Sequence, residues 1–437
     1  MRTFIILWLG QMVSSIGSSM TYFALALWVW QQTESVTAIA LITFFFQLPQ
    51  IGIALFSGII VDRFPRKLLL VLSDVVAAGC TLSVGLLSAS QHLQIWHLYS
   101  IAAIYGCFGH IQTLTYSTTV PLIVPQQHYT RASSMGAMVG YGAEILSPAL
   151  AGVIYPIVGL LGITLIDLIT FAIATLALLV VQIPRTPRKE GAEAAEGVRR
   201  GERIWREITF GFRYIWSSPG LLAMVIALSL FAFTNQIGET LYEPMILART
   251  DGSAQTLGTV VAASGVGGVI GALILSIWGG FRRQVQGMLI GFIGTGLSKI
   301  VFGVNQLPSI WVVAQFCSSL HTPLVFSSYM AVWYAKVAPE LQGRVFATDH
   351  LIGLVIEASA SLIAGPLADQ IFEPAVRSGG WFTSIVSPVV GTGAGSGIAL
   401  LYVINSICIL LIGSGGYAVR RLREAETLMP ERGRSQH

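Results

Sequence analysis

Charge is what this chain has least of. Asp, Glu, Lys and Arg make up 11% of its 437 residues, against ~25% in an ordinary soluble domain. A soluble chain of this length would be expected to split into several domains with polar linkers between them. Here apolar runs recur along almost the whole length, and 54% of residues are hydrophobic. Cysteine is scarce as well. Cys80, Cys107, Cys317 and Cys408 each fall inside an apolar run, where a thiol serves packing, so no disulfide is expected. No Cys-x-x-Cys, His-rich or His-Glu-x-x-His spacing occurs, so neither a metal site nor another cofactor is expected. A Walker A sequence is missing, which leaves no ATP engine in the chain. A membrane-embedded enzyme would need His, Asp or Cys clustered at the end of a span, and no such cluster occurs. The net charge of +4 does not point to nucleic acid, because the basic residues lie in the stretches between apolar runs. The first run, Phe4 to Trp30, is too long for the core of a signal peptide and has no clear cleavage site. It reads as a retained span.

What is present is a series of segments, each long enough to cross ~30 Å of hydrocarbon as a helix. Spans are expected near 4–30, 36–61, 68–90, 96–124, 132–158 and 160–182, then near 220–247, 256–279, 285–304, 309–337, 345–372 and 396–419. The chain is thus expected to be an all-α, multi-pass protein of the lipid bilayer. It divides into a six-helix bundle over 1–182, a linker over 183–218, a second six-helix bundle over 219–423 and a tail over 424–437. In the linker, Ile204, Ile208, Phe212 and Ile215 recur at helical spacing, with Arg206 and Arg213 on other faces. That pattern fits an interfacial helix on the inner leaflet. The alternative is an extension of the seventh span.

Orientation follows from the loops. Of the 25 Lys and Arg, only Arg249 and Arg377 fall on one side, with Lys299 inside a span. The basic side is read as cytoplasmic, with both termini there. The halves echo each other: Arg131 precedes Glu144 as Arg344 precedes Glu357, at the same spacing. Each pair is followed by a small-residue proline motif, Ser147-Pro148-Ala-Leu-Ala151-Gly152 and Gly365-Pro366-Leu-Ala368. Internal duplication across a central linker is the trace of a two-bundle transporter. A glycine-rich run, Gly265-Val-Gly267-Gly268-Val-Ile-Gly271, lies mid-span with no strand before it, so it reads as helix packing and not as a nucleotide loop. Gly391 to Gly397 reads as a flexible loop on the far side.

Ionisable groups inside spans cost ~2.5–3.5 kcal/mol when charged at a helix centre, so each needs a reason. The candidates are Glu144, Asp167, Glu239, Lys299 and Glu357. A carboxyl in a low-dielectric setting can exchange protons near neutral pH, as proton coupling requires. Glu144, Glu357 and Glu239 are the coupling candidates. The alternative for each is a neutral carboxyl hydrogen-bonded between helices. Asp167 stands lower because the sixth span is expected at the periphery. Lys299 is expected near the outer end of its span, with its ammonium reaching the interface.

Between the second and third spans runs Gly58-Ile-Ile-Val-Asp62-Arg63-Phe64-Pro65-Arg66-Lys67. It resembles motif A of the major facilitator superfamily, the G-x-x-x-D-R-x-x-R-[RK] loop. The stretch from Ser147 through Pro148 to Gly152 resembles motif C of the antiporters in that superfamily, with Ser147 and Ala151 in place of glycines. Leu9-Gly-Gln11-Met-Val-Ser-Ser15-Ile-Gly17-Ser18, Gln342-Gly343-Arg344-Val345-Phe346-Ala347 and Gly365-Pro366-Leu-Ala368-Asp369 are similar to the macrolide-efflux-like branch. The resemblance covers nearly the whole chain. It implies the two-bundle major facilitator fold, a bacterial inner-membrane location and proton-driven export of amphipathic small molecules; a monomer is expected. A dedicated siderophore or secondary-metabolite exporter is the alternative within transport, and a non-transporting scaffold the alternative outside it. Gly58, Asp62, Arg63 and Arg66 would form a conformational switch, with the Asp62 carboxylate at the start of the eleventh span. Lys67 is assigned to inside-positive bias alone, and Asp349 is unexpected where a basic or neutral residue would fit. Pro148, Gly152, Gly365 and Pro366 would bend helices and let them approach. Gln11, Ser14, Ser18, Tyr22, Phe45, Met138, Asn235 and Glu239 would line a cavity between the bundles.

Overall fold

The structure is a computed structural model and describes residues 2–181, 209–378 and 381–423. Most of the linker read at 183–218, and the tail from 424, lie outside the described residues. The chain is nearly all helix: α1 (Arg2–Thr33), α2 (Val36–Arg63), α3 (Arg66–Ala89) and α4 (Ile95–Ile123) come first. A single helical run, Tyr129–Val180, follows. It is broken at Gly159, whose φ of 64° and ψ of −169° only glycine adopts without strain. Residues 129–158 form α5 and 160–180 form α6. The direction of the chain reverses there. Trp8, Ile16 and Gln31 of α1 bond Met135, Ser147 and Tyr155 in ascending order. Against α6 the order descends, with Gly10 facing Ala174 and Ala177 and Gly17 facing Asp167 and Thr170.

The second half holds α7 (Pro219–Arg249), α8 (Ala254–Trp278), α9 (Gln284–Val304), α10 (Pro308–Lys336), α11 (Pro339–Pro366) and α12 (Ser396–Gly416). Between α11 and α12 come a π-helical turn, Leu367–Phe372, and two short helices, Glu373–Arg377 and Trp381–Val390. Among the described residues, ten helices are long and apolar enough to cross a membrane, and one of these, Met138–Val180, contains the reversal at Gly159. The twelfth crossing is α4, whose 29 residues make a helix of ~43 Å. It lies outside that set of ten, and its Thr115 and Thr119 turn their hydroxyls onto the carbonyls of Ile111 and Thr115.

Helices within each half pack on one another. Two extensive pairings join the halves, α2 with α11 and α5 with α8, and α7 makes smaller contacts with α1 and α2. Both extensive pairings are tight toward the face opposite the basic loops, here called the far face. A Cβ added to Gly152 would lie 2.8 Å from the Ala254 carbonyl oxygen, and one on Gly258 would strike the Pro148 carbonyl. Gly265 sits against Ile145, while Gly267 and Gly271 sit against the backbone of α10 at Phe316 and Leu320. The glycine-rich run of α8 therefore serves two helix contacts at once. Gly365 packs onto the backbone of Thr37 in the same way.

One apolar core spans both halves at the far face. It contains Phe23, Leu27, Ile39 and Tyr155 from the first half and Leu241, Met245, Leu257 and Ala364 from the second. Toward the basic face the cores are separate, one for the second half around Phe231, Phe292 and Trp333 and three small ones for the first. On α5, Gly136, Gly140 and Gly142 have open space where Gly152 has none. The molecule is thus closed at the far face and open between its halves at the basic face.

Three expectations change. The loop containing Gly391–Gly397 is tied down, because the Glu373 carboxylate accepts from the backbone N–H groups of Gly395, Gly397 and Ile398 at 2.8–3.2 Å. Lys67 does more than follow the charge bias. Its ammonium donates to the carbonyls of Leu179 and Val181, both at 2.8 Å, and so caps the end of α6. The described end of the linker, 209–217, is helical, but it docks on α11: Ile215 is buried in the second half, Gly211 meets Thr348 and Arg344 lies over the Phe210 ring. Phe212 and Trp216 are exposed.

Candidate functional site

The candidate site is the space between the halves, and α5, α8 and α10 supply the wall of its cavity. Tyr141 and Glu144 of α5, Gly268, Ala272 and Ser276 of α8, and Ser319, Thr322 and Phe326 of α10 line a cavity of about 520 Å³. The Glu144 side chain is exposed to it. Glu239 of α7 lies within electrostatic reach of Glu144. Hydroxyls of Ser264 and Ser319 hold α8 to α10 at 2.6 Å. An apolar wall, two aromatic rings and one open carboxyl suit an amphipathic molecule carrying a polar or cationic group.

Glu239 has a partner that the sequence did not suggest. Lys299 of α9 is 2% exposed, and its ammonium lies 2.7 Å from Glu239 Oε1 and 2.8 Å from Asn235 Oδ1. Lys299 therefore does not reach an interface. It is held deep between α7 and α9, because a buried ammonium needs a counter-charge and acceptors within reach. Glu239 keeps 37% of its side chain exposed, so one carboxylate edge meets the lysine while the rest faces the gap.

Asp167 is also central. It is 1% exposed. Its oxygens accept from Thr21 at 2.8 Å, Thr81 at 2.9 Å, and Ser18 and Thr170 at 3.4 Å. The expected periphery of α6 overlooked that one of its faces packs on α1 and α3. Ser18 is spent on this network, and Ser14 is buried. Gln11 accepts from Gln112 at 3.4 Å, and Gln112 also donates to the fully buried Asp74 at 2.6 Å. Tyr22 is 46% exposed and hydrogen-bonds Thr43. Phe45 stacks on Tyr99 of α4, centroids 5.2 Å apart. Met138 is largely exposed on the open half of α5. Glu357 is half-buried midway along α11.

Gly58 and Asp62 fall in the last turns of α2, Arg63 ends that helix and Arg66 begins α3. The expected contact of the Asp62 carboxylate lies outside the described side chains. Pro148 sits within α5 and Pro366 closes α11. Asp349 accepts from the Tyr329 hydroxyl at 2.6 Å, which accounts for an acid at that position. Reasoning from sequence missed Glu243, one turn beyond Glu239, whose carboxylate accepts from Tyr242. It also missed the stacking of His110 on His350 across the halves, centroids 6.3 Å apart. A list of every ionisable residue inside a span would have included Glu243; nothing in the sequence pairs the two histidines.

The profile of the Major Facilitator Superfamily matches residues 7–348. The chain belongs to that superfamily. The transporter is 22% identical over 381 residues to macrolide efflux protein A of Streptococcus pyogenes, covering 87% of this chain and 91% of that protein. It is also 22% identical over 370 residues to the multidrug efflux pump Tap of Mycolicibacterium fortuitum, covering 82% and 87%. Among solved structures, a bacterial homologue of the human lysosomal transporter Spinster, inward-facing and unoccupied, matches 98% of this chain and 97% of its own, with a TM-score of 0.68 and 13% identity. That likeness establishes the fold. Fold and family are those of a multi-pass membrane transporter with efflux-type relatives.

Proposed function

We propose that the transporter exports amphipathic small molecules, macrolide-like compounds among them, in exchange for protons. The observation that carries this reading is a carboxyl-bearing cavity between two bundles that share a core at one face only. A site reached from one side at a time is what alternating access requires. The inside-positive rule supports reading the open side as cytoplasmic, and on that reading the state described would load substrate from inside. Glu144 is the coupling carboxyl in this proposal. It faces the cavity, and Glu239, its nearest rival, is already matched by Lys299. Glu357, at the corresponding place of the repeat, is the second candidate. The protein would work as a monomer, each chain supplying its own pair of bundles.

The test uses proteoliposomes loaded with a macrolide and given a pH step without ATP. Flux should follow the step and collapse with a protonophore. Flux indifferent to both would remove proton coupling from the proposal.

A further inference from the structure

At the far face, beside the apolar core the halves share, one carboxylate crosses from the second half to the first. Asp369 lies in the π-helical turn after α11. Its oxygens accept from Ser35 Oγ at 2.6 Å, from the Thr37 N–H at 2.8 Å and from the Val36 N–H at 3.1 Å. Ser35 is itself the N-cap of α2 and accepts from the Ala38 N–H. The second half thus supplies an acid to the first turn of a helix in the other half. The free N–H groups and dipole of a helix N-terminus favour a negative charge, and charge-assisted bonds are the stronger kind.

Four residues further on, Glu373 does the same for a helix of its own half. It accepts from Gly395, Gly397 and Ile398 at the start of α12, and Arg377 Nε lies 2.9 Å away. Gly397 has the backbone of Glu373 so close that no Cβ would fit. One short segment is therefore riveted to α12 by Glu373 and reaches α2 by Asp369. If the halves part at the far face, the α12 attachment stays within one bundle. The Asp369 attachment crosses the plane of separation and has to break.

We infer that Asp369 is a far-face latch: its bond to the N-terminus of α2 holds the outer gate shut, and its release opens that gate. The inference goes beyond the proposed transport reading, since its readout needs neither substrate nor an ion gradient.

The experiment places spin labels at Gln32→Cys and Ser378→Cys, both exposed far-face positions on opposite halves, in a cysteine-free background. Distances are measured in nanodiscs. Asp369→Asn keeps the shape of the side chain but removes the charge and acceptor capacity on one atom. It should raise the ratio of long-distance to short-distance populations about tenfold, ~1.4 kcal/mol. Ser35→Ala should shift the ratio the same way by less. The double variant should not exceed Asp369→Asn alone, because both cut one interaction. Asp251→Asn, an exposed far-face acid outside the latch, should leave the ratio unchanged. A folded Asp369→Asn protein with the wild-type distribution overturns the latch, as do additive effects of the two substitutions. If Asp369→Asn does not fold, Ser35→Ala decides: no rise in the long-distance population overturns it.

Discussion

The pair formed by Lys299 and Glu239 should break asymmetrically. Glu239→Gln removes the counter-charge of an ammonium that is 2% exposed and leaves it only neutral acceptors, Asn235 Oδ1 and the Gln carbonyl oxygen. Breaking a buried pair by removing one partner costs ~3–5 kcal/mol. Lys299→Met is different. It leaves Glu239, 37% exposed at the edge of the gap, where water can solvate the freed oxygen. The expected cost is ~1–2 kcal/mol, close to that of one unmade hydrogen bond. Removing both charges, as Glu239→Gln with Lys299→Met, should restore most of the stability lost in Glu239→Gln. The assay is equilibrium unfolding in mixed micelles, followed as a double-mutant cycle. The coupling energy should be ~3–4 kcal/mol, the two single losses less a residual of ~1–2 kcal/mol in the double variant. Equal losses for the two single variants, or a coupling below ~0.5 kcal/mol, would refute the claim that the pair is a buried one whose lysine depends on the acid.

Glu144→Gln should abolish flux driven by a pH step while retaining substrate exchange at equal pH, and Glu144→Asp should keep partial activity; normal driven flux in Glu144→Gln would move the role to Glu357. Gly258→Val should force α8 from α5 at the Pro148 carbonyl, at a cost of ~1–3 kcal/mol, and should raise labelling of Thr37→Cys by an impermeant maleimide added at the far face. Unchanged labelling would show that the close approach of α5 and α8 does not seal that face. Asp62→Asn should slow transport while leaving substrate affinity in detergent within a few fold, whereas lost binding in folded protein would make Asp62 part of the substrate site.

The number, length and order of the spans were legible in the sequence because hydrocarbon thickness sets them. Almost every charge had to leave the apolar segments, so the boundaries show wherever charges cluster. The reversal at Gly159 fell where two predicted spans met. The glycine stripe of α8 and the Ser147-to-Gly152 stretch could be read as close-packing surfaces because glycine leaves room and little else explains it in a span. Which helices they would pack against could not be read. That depends on how two bundles meet.

What the sequence determined by itself is therefore the kind of object: a duplicated, twelve-span chain with its positive loops on one side and a few expensive carboxyls inside. These follow from transfer energies, which act residue by residue and need no partner. The tertiary structure alone decided what each costly group does. Lys299 found Glu239 sixty residues away, Asp167 gathered hydroxyls from α1 and α3, and Asp369 reached the start of α2 from the other half. Ion pairs and hydrogen bonds act over a few ångströms and depend on which helix faces meet. A buried charge announces in the sequence that it needs a partner, but only packing decides which partner lies within reach.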